Sequence, residues 1–427
     1  MDLLANMPTG VAAIFWGVLT FSILVVLHEG GHFLAARAFG VKVHEFMLGL
    51  PGPALKWRSK KSGVTYGVTA VPLGGYVRIA GMEPGAEDDL LARALGTLVD
   101  RGRIATSDLA AALEVDRDRA ASLMTTLEDY MAAEPMADWP EDRALVERLA
   151  GESDDGMLAR VRKSVYRGQS PWKRVTILAM GVLVNVVSAI VILTVALSLL
   201  GVPTATLTLE AVTMGSPAHR AGVRPGDKIA ALDGKTVTDW SQVLDIIAAK
   251  KPGDTIALVV KRGGETKSFS IVLARRADGH AQLGIKISSV DVRMPPTKAF
   301  RESLSITGQV FVAIGQFFQP KTFATSVGNA RSVVGISYEV ANAAKAGPLQ
   351  YSLLVALLSL SLGIMNILPI PPLDGGKVAV ELVEALLRRP IPKRISYALS
   401  GIGALLLFSL IFYLMYADIM RYIVQGS

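Results

Sequence analysis

The stretch "VVLHEGGHFLAARAFG", residues 25–40, places two histidines and a glutamate at the end of an apolar run, where ionisable groups are costly. His28 and His32 are four apart, so one helix face presents both imidazoles to a single point. Glu29 follows the first histidine, close enough to reach a water on a metal held there. H-E-x-x-H on a helix is the spacing of a zinc site with glutamate as general base. A chance pattern, or polar residues capping a membrane helix, are the plain alternatives.

The surrounding composition favours a membrane setting. Of 427 residues, 51% are hydrophobic and 19% charged, and the mean hydropathy is +0.41. That is too apolar for an ordinary soluble protein and suggests membrane spans joined to soluble modules. The net charge of +7 suits cationic flanks on an anionic membrane surface, because the basic residues cluster beside apolar segments. Cysteine is absent, so disulfides and thiolate ligands are excluded, and a metal must be held by imidazole and carboxylate.

Four apolar segments, about residues 10–33, 175–202, 351–369 and 397–416, are long enough to cross roughly 30 Å of hydrocarbon at about 1.5 Å per residue. Only Asp2 precedes the first, whereas Arg37, Lys42, Lys56, Arg58, Lys60 and Lys61 follow it. The positive-inside rule then puts the N-terminus outside and the next loop in the cytoplasm. The same asymmetry argues against a cleaved signal peptide. Four crossings place residues 203–350 outside and the turn at Arg388, Arg389, Lys393 and Arg394 inside.

Between the spans lie three modules. In "VTYGVTAVPLGGYVRIAG", residues 64–81, Val64, Tyr66 and Val68 alternate with smaller or polar residues, and Pro72 with Gly74 and Gly75 marks a turn. This predicts a short sheet at the membrane face (41–83), with one strand unpaired near 64–70; an ordinary amphipathic hairpin fits equally well. Residues 84–165 read as an acidic helical insert punctuated by Pro84, Pro135 and Pro140. Its segment "GRIATSDLAAALEVDRDRAASLMTTLEDYM" has a helix-turn-helix cadence, with Thr106 or Ser107 capping a helix to Leu113 and a second helix over 116–131. Its acidity argues against nucleic acid as a partner and for a protein contact or spacer. In 204–276, turns at Pro225-Gly226-Asp227 and Asp233-Gly234, a helix over 241–249 and a hairpin turning at Gly263-Gly264 together resemble a PDZ domain of membrane and envelope proteases. That resemblance implies binding of a peptide terminus or strand at a sheet edge. Residues 277–350 read as a linker with amphipathic helices.

A catalytic zinc needs a third protein ligand and one position for water. The best candidate lies in "SLGIMNILPIPPLDGGK", residues 361–377, where Asp374 follows a long apolar run in a Pro- and Gly-broken segment. A lone carboxylate at membrane depth costs at least a few kcal/mol unless paired or bound to metal. Asp374 and the His28-Glu29-His32 cluster are two costly features that would compensate each other. Capping of a helix over 375–387 also accounts for Asp374, but leaves the histidines unexplained. The other histidines, His44, His219 and His280, read as solvated surface residues.

HEGGH in the first span, "NILPIPPLDGG" in the third and a PDZ-like module between spans two and three resemble the bacterial branch of the site-2 protease family (peptidase family M50), membrane-embedded zinc metalloproteases. The resemblance covers most of the chain except the insert. It implies that His28, His32 and Asp374 hold Zn2+, that Glu29 activates the water, and that Asn366 helps hold the substrate backbone or the developing oxyanion. It implies that "PLGGYVRI" belongs to a sheet clamping the substrate as an extended strand, so that Val64, Tyr66, Val68, Gly74 and Gly75 are candidate substrate contacts. In "AMGVLVNVV", Val182 replaces the proline of the family's G-P-x-x-N pattern while Asn185 keeps its supporting place and is a further candidate substrate contact.

The fold expected is thus a multi-pass α-helical membrane protein of four transmembrane helices (within 1–40, 166–203, 351–380 and 381–427), with a small β-sheet, a helical cytoplasmic insert and one mostly-β PDZ domain outside. The function expected is intramembrane hydrolysis of single-span substrates, of anti-sigma factor or remnant signal peptide type, in the bacterial inner membrane. The alternatives are a catalytically inactive PDZ-containing membrane adaptor and a transporter with a midplane ion site.

Overall fold

The computed structural model describes residues 9–71, 74–82, 87–136, 141–276, 279–316, 319, 321 and 331–420. The turn residue Pro72 and the punctuating Pro84 and Pro140 lie outside them. The chain divides into two compact units, Met1–Thr194 with Phe300–Ser427, and Val195–Ala299.

The first unit opens with α1 (Thr9–Ala38). It runs past the expected end near Phe33 because Ala35 and Ala36 are buried with Val41, Val43, Ile79 and Ile177, which rewards another turn of helix. A four-stranded sheet follows, built from β1 (Val43–Leu48), β2 (Ala54–Arg58), β3 (Thr65–Thr69) and β4 (Gly75–Ile79). Its order is β2-β3-β1-β4. Strand β1 runs parallel to β3 and antiparallel to β4, and β2 is antiparallel to β3. This corrects the expected open edge: β3 is paired on both sides, so Val64, Tyr66 and Val68 flank or occupy an interior strand. Val64 is fully buried, and Tyr66 packs on Trp57, Phe33 and Phe46. Among the described residues, the free edges are β2 and β4.

The insert forms α2 (Leu91–Arg101), β5 (Arg103–Ala105), α3 (Thr106–Leu113), α4 (Arg117–Asp129), β6 (Ala133–Pro135), β7 (Glu141–Ala144) and α5 (Asp154–Arg162). It is therefore not purely helical. A three-stranded sheet of order β5-β7-β6 joins the helix-turn-helix, giving the element order of a winged helix. Ala105, not Thr106 or Ser107, occupies the first cap, whereas Asp116 caps α4 by accepting from Arg119 N–H at 2.8 Å. Leu91, Leu95, Leu98, Leu109, Leu123 and Leu127 give the insert a core of its own. The insert is tied to the first sheet, since Asp129 Oδ2 accepts from Gly81 N–H at 3.0 Å and Arg58 pairs with Glu134 at 3.2 Å. His44 is likewise not a solvated surface residue: it is half-buried, its Nε2 donating to the Asp129 carbonyl at 2.8 Å. Arg119, at the start of the second helix of the pair, is bound by Asp88 and Asp89.

Next comes α6 (Pro171–Leu199), which ends before Gly201, whose φ of +81° favours glycine. The second unit then follows as β8 (Val202–Val212), α7 (Pro217–Arg220), β9 (Lys228–Leu232), β10 (Lys235–Thr236), α8 (Trp240–Ala248), β11 (Thr255–Arg262), β12 (Glu265–Val272), β13 (Ala274–Arg275), β14 (Ala281–Gln282) and β15 (Ile285–Val292). Its main sheet has the order β12-β11-β9-β8-β15. Residues 285–292, expected in a linker, are thus the sheet partner of β8. The β11–β12 hairpin turns at Gly263 and Gly264, both with positive φ, as a tight two-residue turn requires. Arg262 grips buried Asp227 with two bonds of 2.6 and 2.7 Å.

The first unit resumes with α9 (Pro296–Gly315), α10 (Val333–Ala346), α11 (Pro348–Ile367), α12 (Asp374–Leu387) and α13 (Lys393–Ile419). Among the described residues, four helices are long and apolar enough to cross a membrane, Gly10–Ala38, Pro171–Leu199, Pro348–Ile367 and Arg394–Ile419. They agree with the four expected spans apart from their ends.

Candidate metal centre

The centre is assembled from three places in the chain. His28 and His32 lie on α1, one turn apart, and both are buried. Asp374 is the first residue of α12, after the segment 368–373 that interrupts the apolar run. Its carboxylate does not cap that helix, whose N-cap is Leu373 with no side-chain bond; instead Oδ2 lies 2.9 Å from His28 Nε2 and 3.0 Å from His32 Nε2. The two Nε2 atoms are 3.3 Å apart. Lys377, one turn on, approaches the other carboxylate oxygen at 3.3 Å.

These donors suit a zinc ion. Ligand atoms about 2.0–2.1 Å from a tetrahedral ion lie roughly 3.3 Å from one another, close to the spacing of this triad. The outer partners also suit it. His32 Nδ1 donates to the Ile177 carbonyl at 2.8 Å, which fixes the tautomer that leaves Nε2 with a free lone pair. His28 Nδ1 faces the Asn185 side-chain amide at 3.2 Å, and Asn185 Oδ1 is buried without a hydrogen-bond partner. A half-turn of that amide brings Oδ1 to accept Nδ1–H, orienting the second imidazole in the same way. Asn185 thus stands beside the centre, and the Ser359 hydroxyl donates to its main-chain carbonyl at 2.9 Å.

Small residues make the close approach possible. A Cβ on Gly181 would come within 2.4 Å of His32 Nε2, and one on Gly31 within 2.6 Å of the Met180 carbonyl. Gly375 and Gly376 similarly abut the main chain of Ile367 and Pro371, so the DGG stretch folds tightly under the interrupted segment. Gly30 has open space instead.

Glu29 points to the sheet, where its Oε2 accepts the Val77 main-chain N–H at 3.1 Å. Asn366, on the last turn of α11, donates its amide to the Leu362 carbonyl of its own helix at 3.0 Å, not to the triad. Gly74 and Gly75 lead into and begin β4. A cavity of about 550 Å³ follows this strand, lined among others by Tyr76, Val77, Ile79, Lys377, Glu381 and Tyr397. Sequence reasoning missed Val77 because the strand order decides which strand is open. It also missed a buried cluster at the cavity's end, where Arg174 pairs with Glu381 at 2.9 Å and Tyr166 donates to the same carboxylate at 3.0 Å. Burial and the nearby Glu381 push the Tyr166 hydroxyl well above its ordinary range. The sign for this cluster was present in the i, i+3 glutamates, which continue the helix face that begins with Asp374 and Lys377.

Three protein ligands leave a tetrahedral ion one position for water, and a carboxylate beside it makes hydrolysis the chemistry to expect. The class defined is a metal-dependent hydrolase set among membrane-length helices. Comparison with known proteins narrows it: the model of peptidase family M50 matches residues 16–410, and the chain belongs to that family. Among its relatives, a protein of Lactococcus lactis named as a zinc metalloprotease is 26% identical over 95% of this chain and 97% of its own. A similarly named protein of Mesorhizobium japonicum is 28% identical over 93% and 96%. An Enterococcus faecalis protein named as the protease Eep is 26% identical over 95% and 98%. Among solved structures, the PDZ domain of an SdrC-like protein of Listeria innocua matches at 30% identity, covering 19% of this chain and 92% of that one, with a TM-score of 0.18. The chain is a membrane metalloprotease, and its cofactor is zinc.

Proposed function

We propose that this metalloprotease cleaves single-span membrane proteins within the bilayer, as an intramembrane enzyme of site-2 type. The convergence of His28, His32 and Asp374 among membrane-length helices carries this reading. Zinc held by His28, His32 and Asp374 would supply Lewis acidity, lowering the pKa of a bound water towards about 7. Glu29 takes the proton of the attacking water and passes it to the leaving amine. Asn185 and the Ile177 carbonyl hold the two imidazoles in the binding tautomer. Asn366 serves the substrate backbone or the oxyanion once its amide leaves Leu362.

A helical substrate hides its carbonyls in its own hydrogen bonds, so it must be opened before attack. The edge of β4 offers replacement bonds. Ala80 N–H donates to Lys42 and the Gly74 carbonyl accepts from Gly49, so even-numbered residues face the β1 side. Antiparallel pairing alternates, so Gly75, Val77 and Ile79 turn their main-chain groups to the cavity side. An extended peptide added there lies beside Glu29. Substrates of anti-sigma factor or remnant signal peptide type suit this path, and the second unit serves as a PDZ module taking a peptide terminus or strand.

The test is metal removal. Full-length protein in phospholipid vesicles, stripped with phenanthroline, is expected to lose cleavage of a single-span substrate and to regain it with one equivalent of zinc. Undiminished cleavage by metal-free protein refutes the reading. Orientation has its own test, aided by the lack of native cysteine. With the N-terminus outside a bacterial inner membrane, Lys235→Cys in the second unit should react with an impermeant maleimide on spheroplasts. Arg103→Cys in the cytoplasmic insert should react only after permeabilisation, and the reverse pattern would invert the topology.

A further inference from the structure

The Val77 N–H and the Glu29 carboxylate occupy each other at 3.1 Å, yet each has another task once substrate is present. An added strand needs the N–H for sheet pairing, and the attacking water needs the carboxylate. Resting on the strand-addition reading above, we infer that pairing of substrate with β4 displaces Glu29 from Val77 and so releases the general base only when an extended peptide is in place.

Three observations carry this. Val77 N–H lies on the open side of β4, outside the ladder to β1, so Glu29 is its resting acceptor and a substrate carbonyl is a direct competitor. Second, the strand and the helix match in spacing. Val25 and Glu29 are four apart on one face of α1. A Cβ on Gly75 would lie 3.1 Å from Val25 Cγ1, while Glu29 meets Val77, two residues further along the strand. Four helical residues rise about 6.0 Å and two strand residues about 6.6 Å, so β4 lies along α1 nearly in step. Third, the contact is close at Gly75, where the added Cβ would also meet the Met47 carbonyl at 2.8 Å, so the strand is wedged between β1 and the catalytic helix. A strand added to β4 therefore acts on groups already in contact with α1. The consequence is selectivity: peptides that stay helical, or are too short to reach β4, meet a base that is still engaged.

Hydrogen exchange at the Val77 amide, resolved by mass spectrometry with electron-transfer fragmentation, tests this in zinc-loaded full-length protein in nanodiscs. Without peptide, Glu29→Ala should exchange at Val77 about ten-fold faster than the parent, with Gly75 and Ile79 little changed; equal rates at Val77 overturn the inference. Val77→Pro removes the donor at an edge position where proline is tolerated. It should raise kcat several-fold on an internally quenched tetrapeptide too short to pair with β4, and raise KM for a full single-span substrate. A parallel fall in both kcat values, as from mere structural damage, also overturns it. An extended decapeptide hydroxamate separates the two layers. If it fails to protect Val77 in Glu29→Ala, strand addition itself is wrong. If it protects Val77 but Glu29→Ala changes nothing without peptide, only the present inference falls.

Discussion

Glu29→Gln is expected to lower cleavage by about 10²–10⁴-fold, the usual contribution of a positioned general base, while zinc stays near one per chain. The two results belong together. Glutamine is nearly isosteric, and its side-chain oxygen still accepts the Val77 N–H that glutamate accepts at 3.1 Å, so the sheet and α1 keep their contact. Glu29 is not among the three converging ligand groups, so metal affinity has no reason to fall. What glutamine lacks is a basic oxygen able to take a proton from water and return it to the amine. Product formation over hours, measured with zinc content on the same sample, checks both. Cleavage at the parent rate would remove Glu29 from the mechanism, and loss of zinc together with activity would make it a ligand instead.

The parts of this site legible in the sequence were those fixed by local spacing or by cost. The i, i+4 histidines needed only helix geometry. Asp374, more than three hundred residues away, was found because a carboxylate in an apolar, proline-broken run demands a partner. The strand β4 was legible as a segment, but its role was not, because strand order is a non-local property. Insertion of β1 between β3 and β4 closes the edge expected at 64–70 and leaves Val77 open. The insert shows the same limit. Its helices announced themselves through caps and apolar spacing, whereas three- and four-residue strands such as Arg103–Ala105 and Glu141–Ala144 are too short to display a period of two. In the second unit, the return of β15 to β8 spans most of the module, and no local signal marks it.

The glycines join these scales. Gly30 and Gly31 weaken an isolated helix by roughly 1 kcal/mol each, which looks like a defect until the neighbours are in place. Gly31 then admits the Met180–Gly181 backbone of α6, and Gly181 admits both imidazoles. Helix propensity is exchanged for the approach that lets α6 bring Asn185 to His28. Gly375 and Gly376 do the same for the segment that delivers Asp374. A ligand triad drawn from distant helices requires such close contacts, because each imidazole must be held to within a fraction of an ångström.

Asp374→Asn separates a ligand role from a merely structural role at the start of α12. Asparagine is nearly isosteric with aspartate, and Asp374 makes no capping bond to lose, since the N-cap is Leu373. If Asp374 served only to fill its place at the start of the helix, the variant would therefore keep both zinc and cleavage. As a ligand, Asp374 places Oδ2 within 2.9 and 3.0 Å of two imidazole nitrogens, and asparagine removes the charge that offsets a divalent cation there. Loss of an outer-shell partner typically costs about 10–100-fold in metal affinity, and loss of a direct, charged ligand should cost more. Zinc retained after dialysis against a weak chelator is expected to fall from near one per chain to a small fraction, with cleavage lost in proportion. The fold should survive, since an amide can still donate to one His Nε2 and no buried charge is left unpaired. An unchanged helical circular dichroism spectrum beside the missing zinc is the expected signature. Full zinc occupancy in Asp374→Asn would remove the third ligand, and with it the geometry on which hydrolysis in this protein depends.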